Sequence, residues 1–525
     1  MKAKVSRGGL ALIALVMAWL AFAGSSRAAD KYWIGDNGGY WDNSANWSSN
    51  DGGSGGAGQP LAGEDVYLTQ SFSGSDLTVE YRNAINPNAR LGTLYIVGFG
   101  SGLLTLDQSN GSQLKTTREY IGTIGRGAYN QSSGTNAVSG ELRLGYYSGS
   151  LGTYNLQGGS LSSATETLGF SGAGAFTQSG GTNTLSGTLY FGNYSGSSGT
   201  YDLQGGSLSS NWQVIGNGGA GALSQSGGSL TTNNQIIGMY GPGAVSQTGG
   251  ASTVSGTLYL GYYTAGSGTY SLGGGSGSPS LSAQNEDIGY SGGASFSQSG
   301  GTNTVGNTLT LGNNSGSHGA YDLQGGSLSA PTVNLKSGGT FAQSGGTLNV
   351  ATFNQQGGTV TGVLENRGGF YYFNGAFNGR LLNYGTANLF AGGSAGFTAG
   401  DGLLQSATAA TLNIGAGNTL TLGGHGLTNE GSITLAGNLN ATDEIIGDYG
   451  TAAVFTQTGG SNSASGTLTW PTTAAAAAPT ISWAAASAST PSPWGPGATS
   501  TRPAAPLITT TSVWPAAASA SPTFT

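Results

Sequence analysis

Carboxylates and imidazoles are where catalysis would start, and this chain holds 22 Asp and Glu and two His in 525 residues. Two carboxylate pairs stand out, Glu286-Asp287 before Ile288-Gly289 and Asp443-Glu444 before Ile445-Ile446-Gly447. Paired carboxyls can serve as acid and base in glycoside cleavage, but such a site needs further acidic and basic groups gathered on one face. The recurrence of the pair before the same Ile-Gly ending points instead to a repeated turn position. No catalytic residue is assigned, and the chain is not expected to be an enzyme. His318 and His425 each sit in a Gly/Ser-rich turn without a second ligand at metal spacing, so no metal site is assigned. Asp36, Asp42 and Asp51 could in principle bind calcium, yet the glycine-rich calcium nonapeptide does not occur, and they read as turn formers. No cofactor is expected. Trp33, Trp41 and Trp47 could stack on sugar rings or could cover the end of a fold.

The elements that would position these residues are written in the glycines. A Gly-Gly pair returns at Gly158, Gly180, Gly205, Gly227, Gly249, Gly274, Gly300, Gly325 and Gly345, in steps of 20 to 26 residues. Fixed self-similarity at such a period marks a repeat architecture. With 100 Gly, 14 Pro and 7% charged residues, helical bundles are excluded. Disorder is disfavoured by 24 Tyr, 16 Phe and regularly spaced Leu. A net charge of −7 without a Lys/Arg run in the body of the chain leaves no electrostatic footprint for nucleic acid.

From Leu91 to Gln356 two kinds of coil alternate imperfectly. One reads Gly152-Thr153-Tyr154-Asn155-Leu156-Gln157-Gly158-Gly159, the other Ala175-Phe176-Thr177-Gln178-Ser179-Gly180-Gly181. Between them lie short strands such as Leu142 to Gly145, with period-2 alternation and a Gly, Asn or Ser ending. Aligning the Gly-Gly pairs places Tyr154 with Phe176 and Leu156 with Gln178, all pointing inward. Gln178, Gln225, Gln247, Gln298, Gln343 and Gln355 then form either a buried polar column or a half-exposed corner. Amide stacking is expected only where two such coils adjoin, at Gln225 with Gln247 and Gln343 with Gln355. Beyond Gly358 the corner changes to Leu-x-Asn-x-Gly at Asn366, Asn383 and Asn429, where Asn tolerates a left-handed backbone and can bond its neighbours. The fold class is therefore all-β, a right-handed parallel β-helix with an N-terminal cap and a disordered C-terminal tail. About 17 coils at roughly 4.8 Å each would give a rod near 80 Å long.

Residues 1–29 carry a basic start (Lys2, Lys4, Arg7), an apolar stretch from Leu10 to Phe22 and small residues before Asp30, the layout of a secretory signal peptide. The stretch is short for a membrane anchor, so no transmembrane segment is expected in the mature chain. Residues 30–90 hold the cap and first strands, 91–357 the Gly-Gly coils, 358–469 the variant coils and 470–525 the tail. Tyr32-Trp33-Ile34-Gly35, Tyr40-Trp41-Asp42-Asn43, Asn46-Trp47-Ser48 and the stretch from Pro60 to Asp65-Val66-Tyr67-Leu68 resemble the N-terminal motif of exported bacterial autotransporter passengers. The resemblance covers about forty residues and extends to PEP-CTERM and autotransporter-associated repeat proteins. It implies an exported or cell-surface, outer-membrane-associated adhesive or structural rod, monomeric, with surface polysaccharide or host and matrix glycans as partners. The alternative is a carbohydrate-binding or polysaccharide-cleaving β-helix protein.

The tail breaks the pattern. After Ser465-Gly466-Thr467-Leu468-Thr469 come Trp470-Pro471 and five Ala, and residues 470–525 contain nine of the 14 Pro and four of the nine Trp. Read from the third base of codon 469, one choice of synonymous codons gives Leu-Ala-Tyr-Tyr-Ser-Gly-Ser-Ser-Gly-Thr-Tyr, the missing half of a coil. The tail is thus expected to be frameshifted, with an Ala/Pro/Ser/Thr-rich linker as the competing reading.

Overall fold

The computed structural model describes residues 29–69, 75–82, 89–275, 277–389, 397–398, 404–422, 426–447, 453–469 and 480–483. Nearly all of the leader, most of the tail and His425 lie outside the described residues. Among the described residues the chain is all β, with 59% of them in strands, and forms a parallel β-solenoid of about 16 turns.

Each full coil has three faces. The first carries the aromatic strand, as in Leu151–Leu156; the second follows the Gly-Gly corner, as in Ser160–Ser163; the third precedes the Leu-Gly ending, as in Thr165–Leu168. From Ser207–Ile215 through Thr347–Gln355 the second and third faces run together as one long strand. Strands of one face pair in parallel with those of the next coil, Tyr154 opposite Phe176 and Leu156 opposite Gln178. The period-2 pattern of the sequence therefore becomes alternate burial along each strand.

Glycine is required at the first corner for two separate reasons. Gly181 holds φ +66°, a left-handed backbone that side-chain-bearing residues avoid. A Cβ on Gly180, whose backbone is ordinary, would collide with the Gln157 carbonyl of the coil below. Gly180→Ala is accordingly expected to lower unfolding stability by about 1–3 kcal/mol. An unchanged denaturation midpoint would mean that the coils do not touch at this corner.

Inside, aromatic rings of successive first-face strands lie one above another. Tyr129, Tyr154, Phe176 and Tyr201 stack with centroids 4.7, 4.9 and 4.5 Å apart, and Tyr270, Phe296 and Tyr321 repeat this at 4.8 and 4.7 Å. Each contact adds about 0.5–1.5 kcal/mol beyond area burial. A single coil buries almost nothing alone, so stability arises between neighbours.

Trp33, Trp41 and Trp47 close the N-terminal end. They are 3, 4 and 0% exposed, meet edge to face at 5.2 and 4.7 Å, and Trp47 Nε1 donates to the Trp41 carbonyl at 2.7 Å. Their burial rules out sugar stacking on these rings and makes them a cap. Lys31–Trp33 pairs antiparallel with Trp47–Ser48 and parallel with Val66–Thr69, so the cap covers the edge of the first coil. In the later coils Asn366 donates to Asn383 Oδ1 at 2.7 Å, as the Asn corners led one to expect. Their backbone differs from expectation: among the described residues Asn110 is the only non-glycine with positive φ.

Candidate functional site

The carboxylate pairs do not act as pairs. Glu286 points inward and is fully buried, whereas Asp287, next along the strand, faces outward; Glu444 and Asp443 divide in the same way. His318 is exposed at the start of a first-face strand, and Asp36, Asp42 and Asp51 are exposed in the cap. Among the described residues no three His, Cys, Asp or Glu side chains lie close enough together to hold a metal ion.

The buried glutamates belong to a constellation that spans three coils. Glu119 Oε2 accepts from Asn136 Nδ2 at 3.0 Å and Oε1 from the Thr116 hydroxyl at 3.1 Å. Asn136 Nδ2 also donates to the Tyr154 hydroxyl at 3.2 Å, which in turn donates to Gln131 Oε1 at 2.6 Å. Gln131 Nε2 then donates to the Gly134 and Ser160 carbonyls at the Gly-Gly corners. The same set recurs as Glu166, Asn183, Tyr201 and Gln178, and as Glu286, Asn303, Tyr321 and Gln298. Leu94 and Leu142 lie in register on either side of Glu119, Leu142 and Leu189 beside Glu166, and Leu258 and Leu309 beside Glu286. Burial among these side chains lifts each carboxyl to about 7, against hydrogen bonds that favour the charged form. Tyr201→Phe should cost about 1–3 kcal/mol by stranding Gln178 Oε1 and one donor direction of Asn183. A melting curve identical to the parent's would show that the hydroxyl bears no structural load.

The glutamine column is buried, so the half-exposed alternative is wrong. Gln225 and Gln247 are in register, yet each amide donates to corner carbonyls rather than to the other. Gln343 and Gln355 are not neighbours at all, because Gln355 lies on the third face opposite Leu335 and Tyr372. The amide pair that does form, Gln235 Nε2 to Gln213 Oε1 at 2.7 Å, was not foreseen. A signal was present in the spacing: Gln213 and Gln235 each stand eight residues after a Gly-Gly pair, at Gly205 and Gly227, and the strands hold them in register.

Outside, the third face carries a groove of about 640 Å³. Its floor is an outward column in which Thr167, Tyr190, Val214 and Ile236 lie in register, one per coil. Val214 and Ile236 face outward and are nonetheless only 5 and 4% exposed, because the walls cover them. Trp212 lies beside this column opposite Thr188 and Asn234. One end is walled by Phe170, which stacks on Tyr146 at 5.0 Å and meets Tyr194 edge-on at 5.1 Å. The other end has Tyr240 on Tyr263 at 4.4 Å and Tyr262 on Tyr290 at 5.0 Å. Asn217 Nδ2 donates to Asn193 Oδ1 at 2.9 Å between them. Arg143 lies over the Phe170 ring at 4.2 Å and pairs with Glu141 at 2.6 Å, so the charges at that end cancel. No local pattern announces this groove, since its residues are 20-odd apart and meet only once the register is known.

Together the fold and this surface define a class: a parallel β-solenoid repeat protein with an aromatic groove on one flank. No protein-family model, curated protein or solved structure matches the chain.

Proposed function

We propose that the chain is a non-catalytic, exported rod of the secreted or cell-surface kind, passenger-like in build, whose work is structural and adhesive. The observation that carries this reading is the parallel register of successive coils, shifted only by β-bulges in the long strands, which lines outward side chains of neighbouring coils into columns. Asn130 donates to Asp107 and Asn155 to Asn130, both at 2.7 Å, along one such column. A surface of this kind presents many equal contacts in a line, which suits attachment to an extended partner such as a surface polysaccharide or a matrix glycan. The basic, apolar and small-residue succession in residues 1–29 supports export, and the absence of Cys fits a product whose stability comes from stacking. No helix among the described residues is long and apolar enough to cross a membrane.

Protease treatment of intact producing cells, with fractionation of the medium, tests the proposal. The chain should appear in the medium or be digested at the surface, with its leader removed. Full protection inside unbroken cells would contradict it.

A further inference from the structure

We propose that the groove on the third face binds a neutral polysaccharide lying along the stack. This rests on the adhesive reading and names its ligand. The outward column that reads Thr167, Tyr190, Val214 and Ile236 within the groove continues beyond it as Tyr259, Asp287, Thr310, Asn334 and Asn354 over the next five coils. The coil therefore does not require rings at that place, and the half-buried Tyr190, with Trp212 beside the column, leaves aromatic area open to a contact above the covered Val214 and Ile236. A pyranose ring has a C–H face that packs on aromatic carbon and a rim of hydroxyls that needs donors and acceptors. The groove supplies both kinds of group: Trp212 and Tyr190 for the face, and Thr165, Thr188, Asn193 and Asn217 for the rim. Its charge is complementary to a neutral chain, because Arg143 is neutralised by Glu141. Six coils take part, from Glu141–Leu144 to Ala251–Leu260, so the groove is roughly 24 Å long, room for several sugar rings in a row.

Affinity electrophoresis of the full chain through gels containing a β-1,4-glucan, a galactomannan, a xylan or an acidic polyuronate tests this. At least one neutral polymer should retard the protein, Trp212→Ala and Tyr190→Ala should each weaken retardation about tenfold, and Tyr371→Ala, in the same column but outside the groove, should leave it unchanged. Circular dichroism of each variant reports folding. Retardation by the polyuronate alone, by no polymer, or undiminished in folded Trp212→Ala would overturn the proposal. A surface-located protein with no glycan binding would leave the rod reading standing.

A second inference comes from the interior and involves no ligand. We infer that the chain from residue 470 onward is read out of frame with its coils. In three constellations the tyrosine lies 18 residues after the asparagine and 23 after the glutamine. A fourth begins with Glu444, whose Oε2 accepts from Asn462 Nδ2 at 2.9 Å, and with Gln457, whose buried Oε1 has no partner among the described residues. Gln343 and Gln355 also have unpaired oxygens, but no Glu–Asn pair stands beside them. Both spacings from the fourth set, 462 plus 18 and 457 plus 23, call for tyrosine at position 480, where this chain has Thr480. Shifting to the third base of each codon constrains the result whatever synonymous codons are used. Position 470 must become Leu, Met or Val, 471 must become Ala, and 480 becomes Tyr, His, Asn or Asp. The first is the apolar residue found at Leu144 and Phe191; the second stands where Gly145 and Gly192 do, a place also held by Lys336.

Sequencing the gene across codons 469–480 decides the matter. The inference expects third bases that turn the five Ala codons into Ser and Gly and a Pro479 codon ending in T, giving Tyr. Arg or Cys within the alanine run, or a residue other than Tyr at 480, would overturn it.

Discussion

Raising the pH from about 4 to about 8 is expected to destabilise the solenoid by roughly 3 kcal/mol for each of Glu119, Glu166 and Glu286, as a shift from 4.5 to about 7 at 1.36 kcal/mol per unit implies. The sign follows from linkage. Below the unfolded value of 4.5 these carboxyls are neutral in both states and the folded state keeps its full advantage. Between 4.5 and about 7 the unfolded chain ionises first, and the advantage is lost as pH rises through the folded value. Asp107 and Asp287, raised chiefly by burial, act in the same direction, while Asp443, lowered by its hydrogen bonds to Thr467, acts in the opposite one. Ion pairing does not rescue the charge, since Lys31–Glu64, Arg82–Glu80, Arg143–Glu141 and Arg367–Glu365 involve other carboxylates. Urea titrations at stepped pH should show the midpoint falling. Because burial lifts Glu444 to about 7 in the same way, the quadruple variant Glu119→Gln, Glu166→Gln, Glu286→Gln and Glu444→Gln should flatten the curve and be the more stable protein at pH 8. A midpoint in the parent chain that is constant from pH 4 to 8 would mean that these carboxyls are not held in an apolar interior.

The second large effect belongs to the cap. Trp47 is fully buried, touches Trp33 and Trp41, and holds the Trp41 carbonyl. Trp47→Ala should cost about 3–5 kcal/mol, and because the cap covers the first coil, loss should begin at that end. Hydrogen exchange would then show Val66–Thr69 and Leu77–Tyr81 deprotected before Ser207–Ile215. Uniform deprotection along the stack would argue that the cap is not the local guard of its end.

What could be read from the sequence and what could not divide along one physical line. Period and alternation are local properties of a strand and its corner, so the Gly-Gly steps gave the coils, and Tyr154 opposite Phe176 followed from aligning them. Position around the coil is not local. Gly357 closes a corner only 12 residues after Gly345, which puts Gln355 on a different face from Gln343 and defeats a simple alignment of pairs. The Glu–Asn–Tyr–Gln sets needed three coils to be read together. Their trace is nevertheless visible: Thr-Asn or Ser-Asn follows a Gly-Gly corner at 183, 303 and 462 and the Ser133-Gly134 corner at 136, each 17 or 18 residues after a glutamate. The groove is furthest from view, because outward residues are under no packing rule and only the register tells which of them meet.

The register of adjacent coils is the claim on which all of this depends, and the absence of Cys makes it directly accessible. Thr153, Ala175 and Thr200 are outward, in register and one coil apart in succession. Mild oxidation of Thr153→Cys with Ala175→Cys should give a rapid intramolecular disulfide, since neighbours about 4.8 Å apart are within bridging distance. Thr153→Cys with Thr200→Cys, two coils apart at roughly 10 Å, should remain reduced. Equal rates for the two pairs, or bridging only of the second, would contradict the stacked solenoid.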